Sequence, residues 1–144
     1  MRFLHAERHI ASLYRAVLGL LITCHGAASL FGVFGGHTIS AMHWPTGVAA
    51  LIQFVGGALT LVGLATRPAA VLVSGSMAYA YFDVHQRHAV MPIQNGGELA
   101  VLFCWGFLLI AILGPGPLSF DAVISRVRAG SGETRAMQPV SQQA

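Results

Sequence analysis

The sequence predicts an all-α membrane protein: a four-helix transmembrane bundle followed by a short amphipathic helix on the membrane surface. The first observation is composition, because the 144 residues are 55% hydrophobic and only 9% charged, whereas soluble domains average about 25% charged residues. The second observation is spacing: four long apolar runs are separated by short polar segments. A helix of about 17–25 apolar residues crosses a bilayer, so the chain reads as one membrane domain.

The predicted helices cover residues 11–34, 46–65, 68–86 and 97–113, and the surface helix covers residues 119–129. The run Gly114-Pro115-Gly116-Pro117 ends the fourth helix, because glycine and proline terminate helices. Ser119 is placed to cap the surface helix, whose apolar residues recur at i, i+3, i+4 and i+7 and are Phe120, Val123, Ile124 and Val127. We therefore assign residues 1–129 to the membrane domain and predict that residues 130–144, which lack periodicity, form a disordered cytoplasmic tail.

The arginines predict the orientation of the chain in the membrane. All eight basic residues are arginine, and only Arg87 falls on the side of the membrane opposite the termini. Cytoplasmic loops carry the excess of positive charge, so we expect both termini in the cytoplasm. Arg15, near the inner end of the first helix, is expected to extend to the cytoplasmic interface. Because the arginines flank apolar segments instead of forming a basic stripe, a nucleic-acid partner is rejected.

Small residues recur at four-residue spacing along the first helix, at Cys24, Ala28, Gly32 and Gly36. Such ladders allow helix backbones to approach closely in lipid. We interpret this ladder as packing within the bundle and keep a homo-oligomer interface as the alternative. Cys24 and Cys104 both lie inside apolar runs, so they are either small packing residues or a redox-active pair of thiols.

Polar residues near the outer ends of the predicted helices require an explanation, because ionisable groups inside a membrane are costly and usually functional. They are His25, Gln53, His85, Asn95 and Glu98. If they face inward, they form one polar pocket open to the outside. A histidine and a carboxylate within reach of each other bind and move protons, which suits a quinone headgroup and equally suits proton-coupled transport.

Simpler interpretations of the same residues stay open. His25 fits a buried histidine hydrogen-bonded to a neighbour, His85 fits a solvated loop residue, and Glu98 fits an interfacial acid favoured at a helix N-terminus. We assign no catalytic residue. The spacing of the histidines predicts no metal site.

Several segments together resemble the DoxX family of small bacterial membrane proteins, over residues 14–121. The segments are Arg15-Ala16-Val17-Leu18-Gly19 with His25-Gly26, Leu61-Val62-Gly63-Leu64-Ala65-Thr66-Arg67-Pro68, Asn95-Gly96-Gly97-Glu98-Leu99-Ala100 and Gly114-Pro115-Gly116-Pro117-Leu118-Ser119-Phe120-Asp121. The resemblance implies a bacterial inner-membrane protein that crosses the membrane several times. It also implies a role as a subunit of a thiosulfate:quinone oxidoreductase, or as a membrane anchor for thiol and superoxide defence proteins.

Three functional hypotheses follow. The first is a membrane subunit of an oxidoreductase complex that binds quinone in the outer pocket. Because the sequence offers no flavin, haem or iron–sulfur motif, its enzymatic role is at most that of a subunit beside a separate redox enzyme. The second hypothesis is a non-catalytic membrane anchor or scaffold for partner proteins, and the third is a small solute carrier.

Overall fold

The polypeptide forms six α-helices and no strand in a computed structural model that describes residues 2–36 and 38–136. The helices are α1 Arg2–Phe31, α2 Thr46–Val62, α3 Thr66–Ala80, α4 Pro92–Asn95, α5 Glu98–Leu113 and α6 Phe120–Ala136. A 3-10 turn, Val33–Gly35, follows α1, and a π-helical turn, Tyr81–His85, continues α3. The predicted all-α class is confirmed for this part of the chain.

Several helix ends differ from the prediction. Helix α1 begins at Arg2 and ends at Phe31, because Gly32 adopts the left-handed backbone conformation with φ 67°. Helix α2 ends at Val62 because Gly63, with φ 75°, turns the chain. Helix α6 continues through Ala136, so the prediction of a disordered tail is wrong for residues 130–136. The rest of the predicted tail, residues 137–144, lies outside the described residues.

Four of the helices pack against one another around a common apolar core. Helix α1 packs against α2, α2 against α3, and α3 against α5, which also touches α1. The largest fully buried side chains of this core are Phe107, Ile22, Ile110 and Val73. Each comes from α1, α3 or α5, so burial of these side chains joins helices that are far apart in the sequence.

Helices α1 and α2 approach closely at a glycine. A Cβ atom added to Gly57 would lie 2.6 Å from the Ile22 Cγ2 atom and 2.8 Å from the Thr23 amide nitrogen, so any side chain there would separate the helices.

The predicted ladder of small residues on α1 is wrong at its outer end. Gly32 and Gly36 lie beyond the last residue of α1, where the chain has already turned.

The outer surfaces of the helices are strongly apolar. On α5, Leu102, Trp105 and Ile112 are each exposed over about two thirds of their surface, at 69%, 67% and 66%. Soluble monomers rarely expose apolar patches of this extent. In the described chain one helix, at Glu7–Phe31, is long and apolar enough to cross a membrane, while α2 and α5 are apolar but shorter.

Candidate functional site

Arg15 is the centre of a buried polar cluster that joins three segments of the chain. Only 2% of the residue is exposed. Its guanidinium group donates hydrogen bonds to the carbonyls of Pro115 (3.0 Å), Leu61 (2.7 Å) and Leu118 (2.6 Å), and also to that of Thr60. The last carbonyls of a helix have no partner within the helix, so Arg15 satisfies the end of α2. The expectation that this side chain extends to the interface is wrong, because converging carbonyls bind it inside the protein.

Asp121 completes the cluster by capping α3 from a distant part of the sequence. One carboxylate oxygen accepts a hydrogen bond from the Ala65 amide (2.9 Å). The other accepts from the Thr66 amide (3.0 Å) and the Thr66 hydroxyl (2.9 Å). The Asp121 amide donates to the Gly63 carbonyl at 2.9 Å. A carboxylate at a helix N-terminus is favoured by the helix dipole and by the unpaired amides there.

The environment of Asp121 favours its charged form. Burial alone raises the pKa of this carboxyl group, but the hydrogen bonds from Thr66 and Ala65, together with the positive charge of Arg15, outweigh burial. The pKa of Asp121 is therefore held below its ordinary value. This cluster fixes the turn between α2 and α3 to the segment after α5, and Ser119 caps α6 beside it as predicted, with its hydroxyl 3.2 Å from the Ala122 amide.

The five residues of the predicted outer pocket are placed differently from one another. His25 and Glu98 lie exposed on α1 and α5, whereas Gln53 is buried in α2. The structure brings His85 and Asn95 together, with the His85 Nδ1 atom 3.1 Å from the Asn95 carbonyl oxygen. In residues 2–36 and 38–136, no described hydrogen bond joins this pair to the other three.

Local backbone contacts hold Asn95 in place. Its side-chain amide donates to the Ala89 carbonyl at 2.7 Å, and its side-chain oxygen accepts from the Gly97 amide at 2.8 Å. These bonds connect the end of the short helix α4 with the loop before it and with the start of α5. The side chain of Asn95 therefore orders the loop at this end of the protein.

Both cysteines are free and half-buried. The Ser74 hydroxyl donates to the Cys104 carbonyl at 2.8 Å and lies 3.6 Å from the Cys104 sulfur, so Cys104 packs against α3. Across the described residues, no three His, Cys, Asp or Glu side chains are grouped so that they could hold a metal ion.

An apolar groove runs between α2 and α3. The part nearer the turn between α2 and α3, called the inner part, has a volume of about 380 Å³ and is lined by residues that include Leu51, Val55, Leu59 and Leu72. The part at the opposite ends of the two helices, called the outer part, has a volume of about 210 Å³. Both parts share Ile52. The groove therefore extends along much of the length of the two helices.

The outer end of this α2–α3 groove is also almost entirely apolar, and it differs from the inner part in its aromatic residues. The Ser76 hydroxyl beside it donates to the Val73 carbonyl at 2.9 Å. Trp44, Ser76 and Tyr79 line the outer end, and the Tyr79 hydroxyl interacts with the carboxylate of Asp83. The Asp83 carboxylate also pairs with Arg87. Sequence reasoning missed this site, because apolar groove residues look the same as lipid-facing ones. The available signal was the pair of aromatic residues Trp44, just before α2, and Tyr79, near the end of α3.

Comparison with known proteins identifies the family. A family model described as DoxX matches residues 10–86, just over half of the chain, so the chain belongs to the DoxX family of membrane proteins and the resemblance noted in the sequence is confirmed. The matched segment contains α2 and α3 and most of α1, and it ends before α5. The lipid bilayer is therefore the environment of this protein.

An uncharacterized protein of Haemophilus influenzae is similar to this chain, with 44% identity over 77 residues. The aligned region covers 51% of this chain and 58% of that relative, so the chain spans little more than half of the relative's length. No solved structure matches the chain.

Proposed function

We propose that this protein is a multi-pass inner-membrane subunit of an oxidoreductase complex, and that it binds quinone in the α2–α3 groove. In this proposal α1, α2, α3 and α5 cross the bilayer as a four-helix bundle. Helix α6 lies on the membrane surface and both termini are cytoplasmic. The redox chemistry belongs to a separate partner enzyme, because the described residues of this chain supply binding groups and no assigned catalytic residue.

The proposed orientation is supported by where the arginines meet in the fold. The contacts of Arg15 bring the middle of α1, the last residues of α2 and the segment after α5 together toward one end of the protein. Arg8, Arg67 and Arg126 lie near that end, while Arg87 follows the π-helical turn at the other. Positive residues are concentrated on the cytoplasmic side of membrane proteins.

The observation that carries the quinone proposal is the apolar α2–α3 groove with two aromatic residues, Trp44 and Tyr79, at its outer end. An isoprenoid tail requires a long apolar channel that opens to lipid, which the inner part provides. A quinone ring requires hydrogen-bonding groups for its oxygens and an aromatic or apolar surface beside it. At the outer end the Trp44 indole N–H is a hydrogen-bond donor, and the rings of Trp44 and Tyr79 form an aromatic surface. The hydroxyls of Ser76 and Tyr79 are already engaged, with the Val73 carbonyl and the Asp83 carboxylate. The quinone site is thus moved from the predicted pocket of His25 and Glu98 to a different pair of helices.

The test is to purify the protein in mild detergent and to extract and quantify the retained quinone by mass spectrometry. Val55→Trp fills the groove, and the matched control Val71→Trp places the same side chain on an equally exposed position of α3 outside it; the two valines are 46% and 54% exposed. We expect loss of quinone from Val55→Trp and retention in Val71→Trp. Loss from His25→Ala or Glu98→Gln instead would return the site to the originally predicted pocket.

A non-catalytic membrane anchor is the second candidate, and the exposure of His25 and Glu98 favours it. Both side chains lie on helix surfaces, and a polar group at membrane depth requires a partner. A partner protein that covers them would satisfy that requirement. If a partner protein co-purifies with the wild type, is lost from His25→Ala and Glu98→Gln, and no quinone is retained, the anchor is the function.

The solute-carrier hypothesis has less support. A carrier with four helices requires a polar path between them, but Phe103, Phe107 and Ile110 of α5 are buried in the centre of the described core together with Ile22. These side chains fill the space that a solute would need to cross.

A further inference from the structure

A second, polar cavity lies at the end of the protein that carries the arginines. It has a volume of about 630 Å³ and is bounded by residues 7–11 of α1, the start of α3, the turn at residues 114–117 and one face of α6. The apolar side chains Phe120, Val123 and Ile124 of α6 do not line it and are exposed. Helix α6 therefore presents one face to this cavity and an apolar face elsewhere.

The cavity is positively charged. Arg8, Arg67 and Arg126 line it together with one acid, Glu7, which leaves an excess of two positive charges. Among residues 7–36 and 38–129, whose side chains the structure describes, no described hydrogen bond or ion pair joins these three guanidinium groups to another residue. Arg15 differs from them, because its donors are all directed to backbone carbonyls. Three guanidinium groups without a described partner therefore line one cavity.

An apolar groove continues from this cavity along α1 and α5. It has a volume of about 380 Å³ and is lined by Ile10, Tyr14 and Leu109. Glu7, Ala11 and Leu113 line both spaces, so the charged cavity and the apolar groove are continuous. A ligand that fills both must carry an anionic group at one end and a hydrocarbon chain at the other.

We infer that this cavity binds the phosphate headgroup of an anionic phospholipid, with an acyl chain in the groove between α1 and α5. Guanidinium groups bind phosphate oxygens through paired, charge-assisted hydrogen bonds. Basic pockets on the cytoplasmic side of membrane proteins recognise anionic headgroups in this way. The apolar continuation is what distinguishes a lipid from a free phosphate ion. This site lies at the opposite end of the protein from the outer end of the α2–α3 groove and does not depend on quinone binding.

The experiment titrates the delipidated full-length protein in detergent with phosphatidylglycerol, with phosphatidylcholine and with inorganic phosphate, and counts bound molecules by native mass spectrometry. We expect phosphatidylglycerol to bind more tightly than the other two. Arg67→Gln and Arg126→Gln should each weaken it about fivefold. Arg128→Gln is the matched control, because Arg128 is an exposed arginine of α6 that does not line the cavity.

A second pair of variants tests the acyl-chain groove without changing any charge. Leu109→Trp fills the groove, whereas Leu102→Trp adds the same bulk to an exposed position of α5 outside it. Weaker phosphatidylglycerol binding by Leu109→Trp alone supports the lipid site. Equal binding of both phospholipids, equal losses from Arg128→Gln and Arg67→Gln, or inorganic phosphate that binds as tightly as the lipid would overturn the inference.

Discussion

Replacement of Arg15 should cost more stability than that of any other arginine described. In Arg15→Met the apolar volume is roughly kept, but four backbone carbonyls lose a charged donor. Hydrogen bonds to a charged group are worth about 1.5–3 kcal/mol each, so their sum would be about 6–12 kcal/mol. Two effects reduce this sum: the guanidinium group no longer has to be desolvated, and carbonyls near the end of the protein can bind water.

The expected loss for Arg15→Met is therefore about 3–5 kcal/mol, the range for removal of one partner from a buried charged network. Arg15→Lys should lower the free energy of unfolding by less than Arg15→Met, because the ammonium group keeps the positive charge. It should still be less stable than the wild type, because an ammonium group lacks the planar set of donors that reaches three segments. The assay is reversible unfolding in mixed micelles, with the free energy of unfolding extrapolated to zero denaturant. Arg128→Met is the control and should change it by less than about 0.5 kcal/mol. A loss below about 1 kcal/mol for Arg15→Met would refute the reasoning.

Three further predictions use the same unfolding assay. Thr66→Val removes the hydrogen bond from the Thr66 hydroxyl to Asp121 and should lower the free energy of unfolding by about 1 kcal/mol. Thr60→Val should leave the free energy of unfolding unchanged, since the buried Thr60 hydroxyl has no partner among the described residues. Because the pKa of Asp121 is lowered in the folded state, its contribution is present above the unfolded pKa of about 3.9 and is lost as the pH falls below that value; Asp121→Asn should remove this acid sensitivity. Gly57→Ala should destabilise by about 1–3 kcal/mol because its Cβ would meet α1, whereas Gly75→Ala, with open space around it in α3, should stabilise by about 0.5–1 kcal/mol. Equal effects within either pair, or an unchanged acid transition in Asp121→Asn, would contradict these predictions.

Local features of the fold could be predicted because their signals are local. The apolar runs predict where helices form, and the Gly-Pro-Gly-Pro segment predicts where α5 ends. Ser119 predicts the start of α6 from its own position in the sequence. Helix ends set by a backbone conformation were harder to predict, since Gly32 and Gly63 lie inside runs that remain apolar beyond them.

The site could not be predicted in the same way, because it depends on which segments meet. The role of Arg15 requires the end of α2 and the segment after α5 to lie beside α1, and hydrophobicity does not specify these neighbours. The side-chain orientation of His25 could not be predicted either. A helix that is apolar on most of its surface has no periodicity that distinguishes its inward face from its outward face. The residues of the α2–α3 groove carry no chemical signal of their own.

The most direct test of the central claim is photolabelling with an azido-quinone in native membranes, followed by mapping of the modified peptides. The account predicts adducts on α2 and α3, near Ile52 and Tyr79, that decrease when unmodified quinone competes. Adducts concentrated near His25 and Glu98, or labelling that unmodified quinone does not reduce, would contradict it.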